Sequence, residues 1–149
     1  MNSEFTIAVH SLVLLASKPD CMATSDYIAV NVATHPARIR KVMSLLRKEG
    51  YVRTKEGIGG GFSINCNPER VTLAEIYRLT SSGTLRPSWC SGDESKECPI
   101  SSNMKQVMDG IFGEAELHME QYLEKLTIAG VLEQLQCGGG ERKKFNIQR

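Results

Sequence analysis

The stretch "HPARIRKVMSLLRKEGYVRTKEGIGGGF", His35 to Phe62, decides the fold. Thr34 or His35 is an N-cap for a helix, and Pro36 sits in its first turn, where a missing N–H costs nothing. Ile39, Val42, Met43, Leu45 and Leu46 recur at helical spacing and predict a buried face. Gly50 is the expected stop. "YVRT" and "FSIN" are short β-favouring runs around "KEGIGGG", which reads as a hairpin with a glycine-rich tip.

Outward from this stretch, Phe5, Ala8, Val9, Leu12, Val13 and Ala16 predict a first helix over residues 3–17. Thr24 or Ser25 caps a short second helix from Ser25 to about Val30, and "NVATH" reads as a turn. "LAEIYRL" follows Thr72, with Glu75 at capping-box spacing. Ser81 to Ile100 is polar and reads as a loop. An apolar stripe from Asn103 to Leu126 predicts a long helix, and "TIAGVLEQL" a last one. Fold class follows: mainly α with a small β-hairpin, a winged helix-turn-helix with a long C-terminal dimerisation helix. Residues 1–80 are expected to form the DNA-binding domain. Residues 81–101 form a cysteine-containing loop, 102–136 the dimerisation helices and 137–149 a mobile basic tail.

The chain has 149 residues, 41% apolar and 23% charged, with a net charge of +1. That suits one soluble domain. The longest apolar run, "IAVHSLVLLA", is too short for a membrane span. "MNSEF" has no basic n-region, so no secretory leader is expected, and the location is cytoplasmic. There the five cysteines would be reduced thiols. Charge is unevenly placed. Residues 35–55 hold seven Lys/Arg against Glu49 alone, whereas residues 71–136 hold five against ten Asp/Glu. Such asymmetry points to a polyanion-binding face.

A basic helix after a helix and a turn fits the major groove, where base edges form a readable pattern. Its N-terminal end presents Thr34, His35, Pro36, Arg38 and Arg40, with Lys41 and Ser44 in reach of phosphates. Arginine forks suit guanine or phosphate. Ser25, at the start of the preceding helix, is counted on the same face. Gly57, Gly59 and Gly60 let a wing tip lie close to the sugar-phosphate backbone, with Arg53 and Lys55 beside it. Taken singly, a basic helix is usually a solvated face and a glycine loop a hairpin turn; their order carries the reading.

The runs "SDYIAVNVATHPARIRKVMSLLRKEGYVRTKEGIGGGFSI" and "VTLAEIYRL", then "CP" before a long helix and "TIAGVLEQL", resemble the Rrf2 family of winged-helix transcription regulators over roughly residues 1–135. The resemblance implies a bacterial, cytoplasmic homodimer whose long helices cross, a reading helix over 36–49 and a wing around Gly57 to Gly61. Many relatives carry a Pro inside the wing and an Arg before its first glycine; here Ile58 and Glu56 stand there. A carboxylate beside phosphate is unfavourable. A helix of about 24 residues spans some 36 Å, more than a small winged-helix unit can cover. Two copies would set two reading helices about one DNA turn apart and select a palindromic operator in double-stranded DNA. The chain is expected to act as a homodimeric repressor that blocks promoter access and responds to a redox or small-molecule signal.

Several relatives hold an iron–sulfur cluster through three loop cysteines. This loop, "CSGDESKECPISSNM", offers Cys90 and Cys98 only. Ser101, Asn103 or Met104 stands where a third ligand would be, so no cofactor and no metal site is expected; the disfavoured alternative is an iron–sulfur-cluster-dependent regulator whose cluster is shared across a dimer or completed by Asp/Glu. Cys90 and Cys98 are also readable as a thiol switch or as bystanders. An Asp93, Glu94 and Glu97 cluster opposes a thiolate, and a helix start at Cys98 favours one. Cys21 and Cys66 read as packing residues and Cys137 as an exposed thiol. Trp89 is a weak candidate for contact with a small ligand. A different class, a small thiol oxidoreductase using Cys90 and Cys98, lacks the tight C-x-x-C and its βαβ setting. No Ser-His-Asp set, phosphate loop or HExxH appears, so no catalytic residue is assigned.

Overall fold

The computed structural model describes residues 3–137. The tail from residue 138 onward lies outside the described residues. Helix α1 (Ser3–Ser17) forms the centre of the core and buries Phe5, Ile7, Ala8, Leu12, Val13 and Leu15. Its buried Ser11 hydroxyl donates back to the Ile7 carbonyl at 2.7 Å, so the apolar helix buries no unpaired hydroxyl.

A turn with Cys21 at φ 52° leads into a two-residue strand, β1 (Met22–Ala23). Helix α2 (Ser25–Val32) starts at Thr24, whose hydroxyl accepts the Tyr27 N–H at 3.1 Å. The helix runs two residues past the expected end, because Asn31 and Val32 continue it. Ala33, left-handed at φ 58°, stops it instead of a glycine. Helix α3 (Pro36–Lys48) follows, and Gly50 at φ 80° turns the chain into the wing.

Strands β2 (Val52–Lys55) and β3 (Gly61–Ile64) pair antiparallel, with Val52 opposite Ile64 and Lys55 opposite Gly61. The expected hairpin gains a third strand. β1 pairs the other edge of β3, Met22 opposite Ser63 and Ala23 opposite Phe62, in the order β1-β3-β2. Gly61 is needed at this join: its φ is 146°, and a Cβ there would sit 2.6 Å from the Ala23 carbonyl oxygen.

Helix α4 (Leu73–Ser81) opens on the expected capping box: Thr72 accepts the Glu75 N–H at 3.3 Å and Glu75 accepts the Thr72 N–H at 2.7 Å. Tyr77 of α4 meets Phe5 of α1 edge to face at 5.7 Å between ring centroids. The long helix α5 (Pro99–Leu123) begins four residues before the expected start at Asn103, with Cys98 as N-cap and Pro99 in its first turn. Helix α6 (Ile128–Cys137) returns to α1. Its start is sewn to that of α4: the Leu73 N–H donates to Leu126 O at 2.8 Å and the Ile128 N–H to Val71 O at 3.1 Å.

Candidate nucleic-acid interface

Helix α3 takes its place from its own pattern. Ile39, Val42, Met43 and Leu46 are buried, and Leu45 is half-buried at the edge of that face. The opposite side exposes Arg38, Arg40, Lys41, Ser44, Arg47 and Lys48. Of the two capping candidates, His35 is used, its ring Nδ1 accepting the Ala37 N–H at 3.1 Å. Thr34 instead closes α2, its backbone N–H donating to Ala29 O at 2.9 Å. Ser25 is half-buried in the first turn of α2. A shallow hollow lies where α2 meets α3, bounded among others by Val30, Thr34, His35 and Pro36.

The wing stands beside this helix. Val52 is buried at its base, while Arg53, Thr54 and Lys55 are exposed. At the tip Gly57 and Gly59 are left-handed at φ 86° and 74°, and the Gly60 N–H donates to Gly57 O at 3.0 Å. A Cβ on Gly60 would collide with the Lys55 carbonyl, so the tight turn itself requires glycine there. Ile58 projects fully into solvent from this tip, next to exposed Glu56.

Two of the expected DNA-contacting cations have partners the sequence reading missed. The Arg38 guanidinium donates to the Ser3 hydroxyl, and Lys41 Nζ pairs with Glu4 Oε1 at 2.5 Å. Both acceptors lie in the first turn of α1, 35 and 37 residues away in sequence, and no local pattern announces such a contact. Among the described residues, Arg40 has no ion-pair partner. Ser3 and Glu4 therefore belong to the same exposed face as the basic side of α3.

The cysteine loop is a separate place. Asp93 N–H donates to Ser101 O at 3.0 Å, folding the loop back onto the first turn of α5. Gly92, at φ 102°, passes so close that a Cβ would lie 2.5 Å from Ser101 O. Cys98 is exposed, and the N–H groups of Ser101 and then Ile100 hold its thiol below the usual value. Cys90 is half-buried, and both thiols are free. Cys21 and Cys66 are partly buried against the body; burial and then the Glu75 charge push the Cys66 thiol up. Trp89 is exposed. Among the described residues, no group of three or more His, Cys, Asp or Glu side chains is placed to hold a metal ion. Cys90 and Cys98 together supply two thiols, half of a four-ligand coordination shell.

The acidic side chains of α5 are partly used in holding the body. Glu116 accepts the Tyr77 hydroxyl at 2.7 Å and also the Gly83 N–H. Glu120 and Glu124 pair with Arg78 at 2.7 and 2.5 Å.

Comparison with known proteins matches this geometry. A family model for Rrf2, described as an iron-dependent transcriptional regulator, matches residues 1–134. The chain is 27% identical over 135 residues to YwnA of Bacillus subtilis, named as an HTH-type transcriptional regulator, covering 91% of this chain and 98% of that one. The crystal structure of a transcriptional regulator from Lactobacillus plantarum superposes with a TM-score of 0.80 at 25% identity, covering 91% of each chain. T. potens IscR shares the fold with a TM-score of 0.69 at 17% identity, over 95% of this chain and 92% of that one. With a basic helix followed by a glycine wing in a winged-helix body, the chain belongs to the Rrf2 family and is a DNA-binding transcriptional regulator.

Proposed function

We propose that the protein is a cytoplasmic homodimeric repressor that reads a palindromic operator in double-stranded DNA. No helix of the described residues is long and apolar enough to cross a membrane, which supports that location. Residues 1–80 serve as the reading unit, with α3 in the major groove. Arg38 and Arg40 face base edges or phosphates and Ser44 the backbone, while Lys41 lies on the backbone side but is paired with Glu4. Ser25, Thr34, His35 and Pro36 line the end of α3 nearest the bases. Lys55, Gly57, Gly59 and Gly60 bring the wing to the adjacent backbone, with Glu56 limiting its attraction. Residues 102–136 pair two copies, and no catalytic turnover is assigned to any residue.

One observation carries this reading: α3 buries Ile39, Val42, Met43 and Leu46 and turns Arg38, Arg40 and Lys41 outward. Gel-shift titration on a duplex selected in vitro by the intact protein tests it. Arg38→Ala with Arg40→Ala is expected to weaken binding by about 1–3 kcal/mol per lost base contact. Unchanged binding by the double variant overturns the assignment.

Redox control is the second reading, favoured by Cys98 at the N-cap of α5 with its thiol held low. A peroxide would oxidise the Cys98 thiolate to a sulfenic acid, with loss of hydroxide or alcohol. The Cys90 thiol would then displace hydroxide to close a disulfide. The protein in this reading works without a resident cluster.

A further inference from the structure

The first turn of α1 places a carboxylate on the cationic face. Glu4 is about a quarter exposed and Lys41 about three-quarters, and their charged atoms lie 2.5 Å apart. Next to them the Arg38 guanidinium donates to Ser3. Glu4 is held on a helix whose neighbours Phe5, Ile7 and Ala8 are buried in the core, so it cannot swing away with a flexible segment. Its place in the first turn also suits a negative charge.

We propose that Glu4 is a positioning residue that withholds Lys41 from the DNA backbone and so sets the salt dependence of binding. A lysine already neutralised by a carboxylate displaces no counterion from a phosphate. The carboxylate offsets the positive charge that the sequence counts at Lys41. Phosphate contacts carry no sequence information, so the restraint lowers attraction to all duplexes alike. Arg40, with no ion-pair partner among the described residues, keeps its full charge for the groove.

This inference rests on α3 being the reading helix, and the experiment separates the two. Binding of the full chain is titrated across a salt series on the in vitro selected duplex and on a random-sequence duplex of equal length. Glu4→Gln is expected to bind both about two- to five-fold more tightly per subunit. The slope of log affinity against log salt should steepen by about 0.9 per subunit bound. Adding Lys41→Gln should return the slope to that of the unmodified protein. Lys41→Gln alone should change the slope by much less than that amount. This single variant keeps the test decisive if Glu4→Gln proves unstable in a thermal melt. Equal or weaker binding by Glu4→Gln at unchanged slope overturns the inference, as does loss of the full slope increment in Lys41→Gln alone. Arg40→Ala serves as reference: if it weakens binding and Glu4→Gln has no effect, only this inference fails. If neither variant alters binding, the placement of α3 in the groove fails with it.

Discussion

Helices α3 and α5 both carry an apolar stripe in sequence, yet they use it in opposite ways. The 13-residue α3 buries Ile39, Val42, Met43 and Leu46. The 25-residue α5 buries Leu123 alone and leaves Ile100, Val107, Ile111, Leu117 and Tyr122 exposed. The winged-helix body is a finished core, packed around α1 and closed by α4 and α6. Ile100, Val107 and Ile111 in the first four turns of α5 stand exposed. An open groove there runs along Asn103, Val107, Gly110 and Ile111. Exposed apolar side chains in such a row fit the pairing of two copies proposed above. The contrast teaches that similar periodicity can specify a core within one chain or a face for another.

The largest expected effect breaks the finished side of that contrast. Leu46 is fully buried, so Leu46→Ala should lower unfolding free energy by about 2–5 kcal/mol, read by chemical denaturation. DNA binding should fall with it, because the same helix carries the basic face. A loss well under 1 kcal/mol would mean that the core does not depend on α3.

Next comes the unfinished side. Val107→Glu with Ile111→Glu replaces exposed residues, so the body's unfolding free energy should move by less than about 0.5 kcal/mol. Light scattering after size exclusion should nevertheless show a shift from dimer to monomer, and affinity for a palindromic duplex should drop to that of one half-site. A dimer that survives both carboxylates would place the interface elsewhere.

The smallest structural effect is chemical. Cys98 has its thiol lowered by the backbone N–H groups of Ser101 and Ile100, whereas Cys66 has its thiol raised, chiefly by burial. At neutral pH iodoacetamide should therefore label Cys98 well before Cys66, followed by mass spectrometry, with no change in stability. The sign follows from the reactive form. A lowered thiol carries a larger thiolate fraction than an ordinary one, and its advantage shrinks as rising pH ionises the ordinary thiols. Equal labelling at pH 7 would remove the basis for a redox role at this loop.

Much of the fold was legible because its signals are local. The periodicity of α1 and α3, Pro36 and Gly50 as punctuation, the Thr72–Glu75 box and the glycine wing all act within a few residues. Strand β1 was invisible because two residues have no periodicity, and its identity comes entirely from pairing with Ser63 and Phe62. The end of α2 was misplaced because Ala33 adopts a left-handed conformation without a glycine to signal it. For α5 a signal was present, since Pro99 suits a first turn, but the apolar stripe starts later and drew the boundary to Asn103. Within the candidate interface, the outward side of α3 was readable from spacing. The contacts of Arg38 with Ser3 and of Lys41 with Glu4 were not, because they exist only once α1 lies across α3.

The bonds from α4 to Glu116, Glu120 and the C-cap Glu124 all gather at the C-terminal end of α5. From Glu116 to Cys98 the helix is about 27 Å long at 1.5 Å per residue. One continuous helix thus joins the thiol end to the contacts with Tyr77 and Arg78, and Tyr77 packs against Phe5 of the same α1 that touches the reading helix.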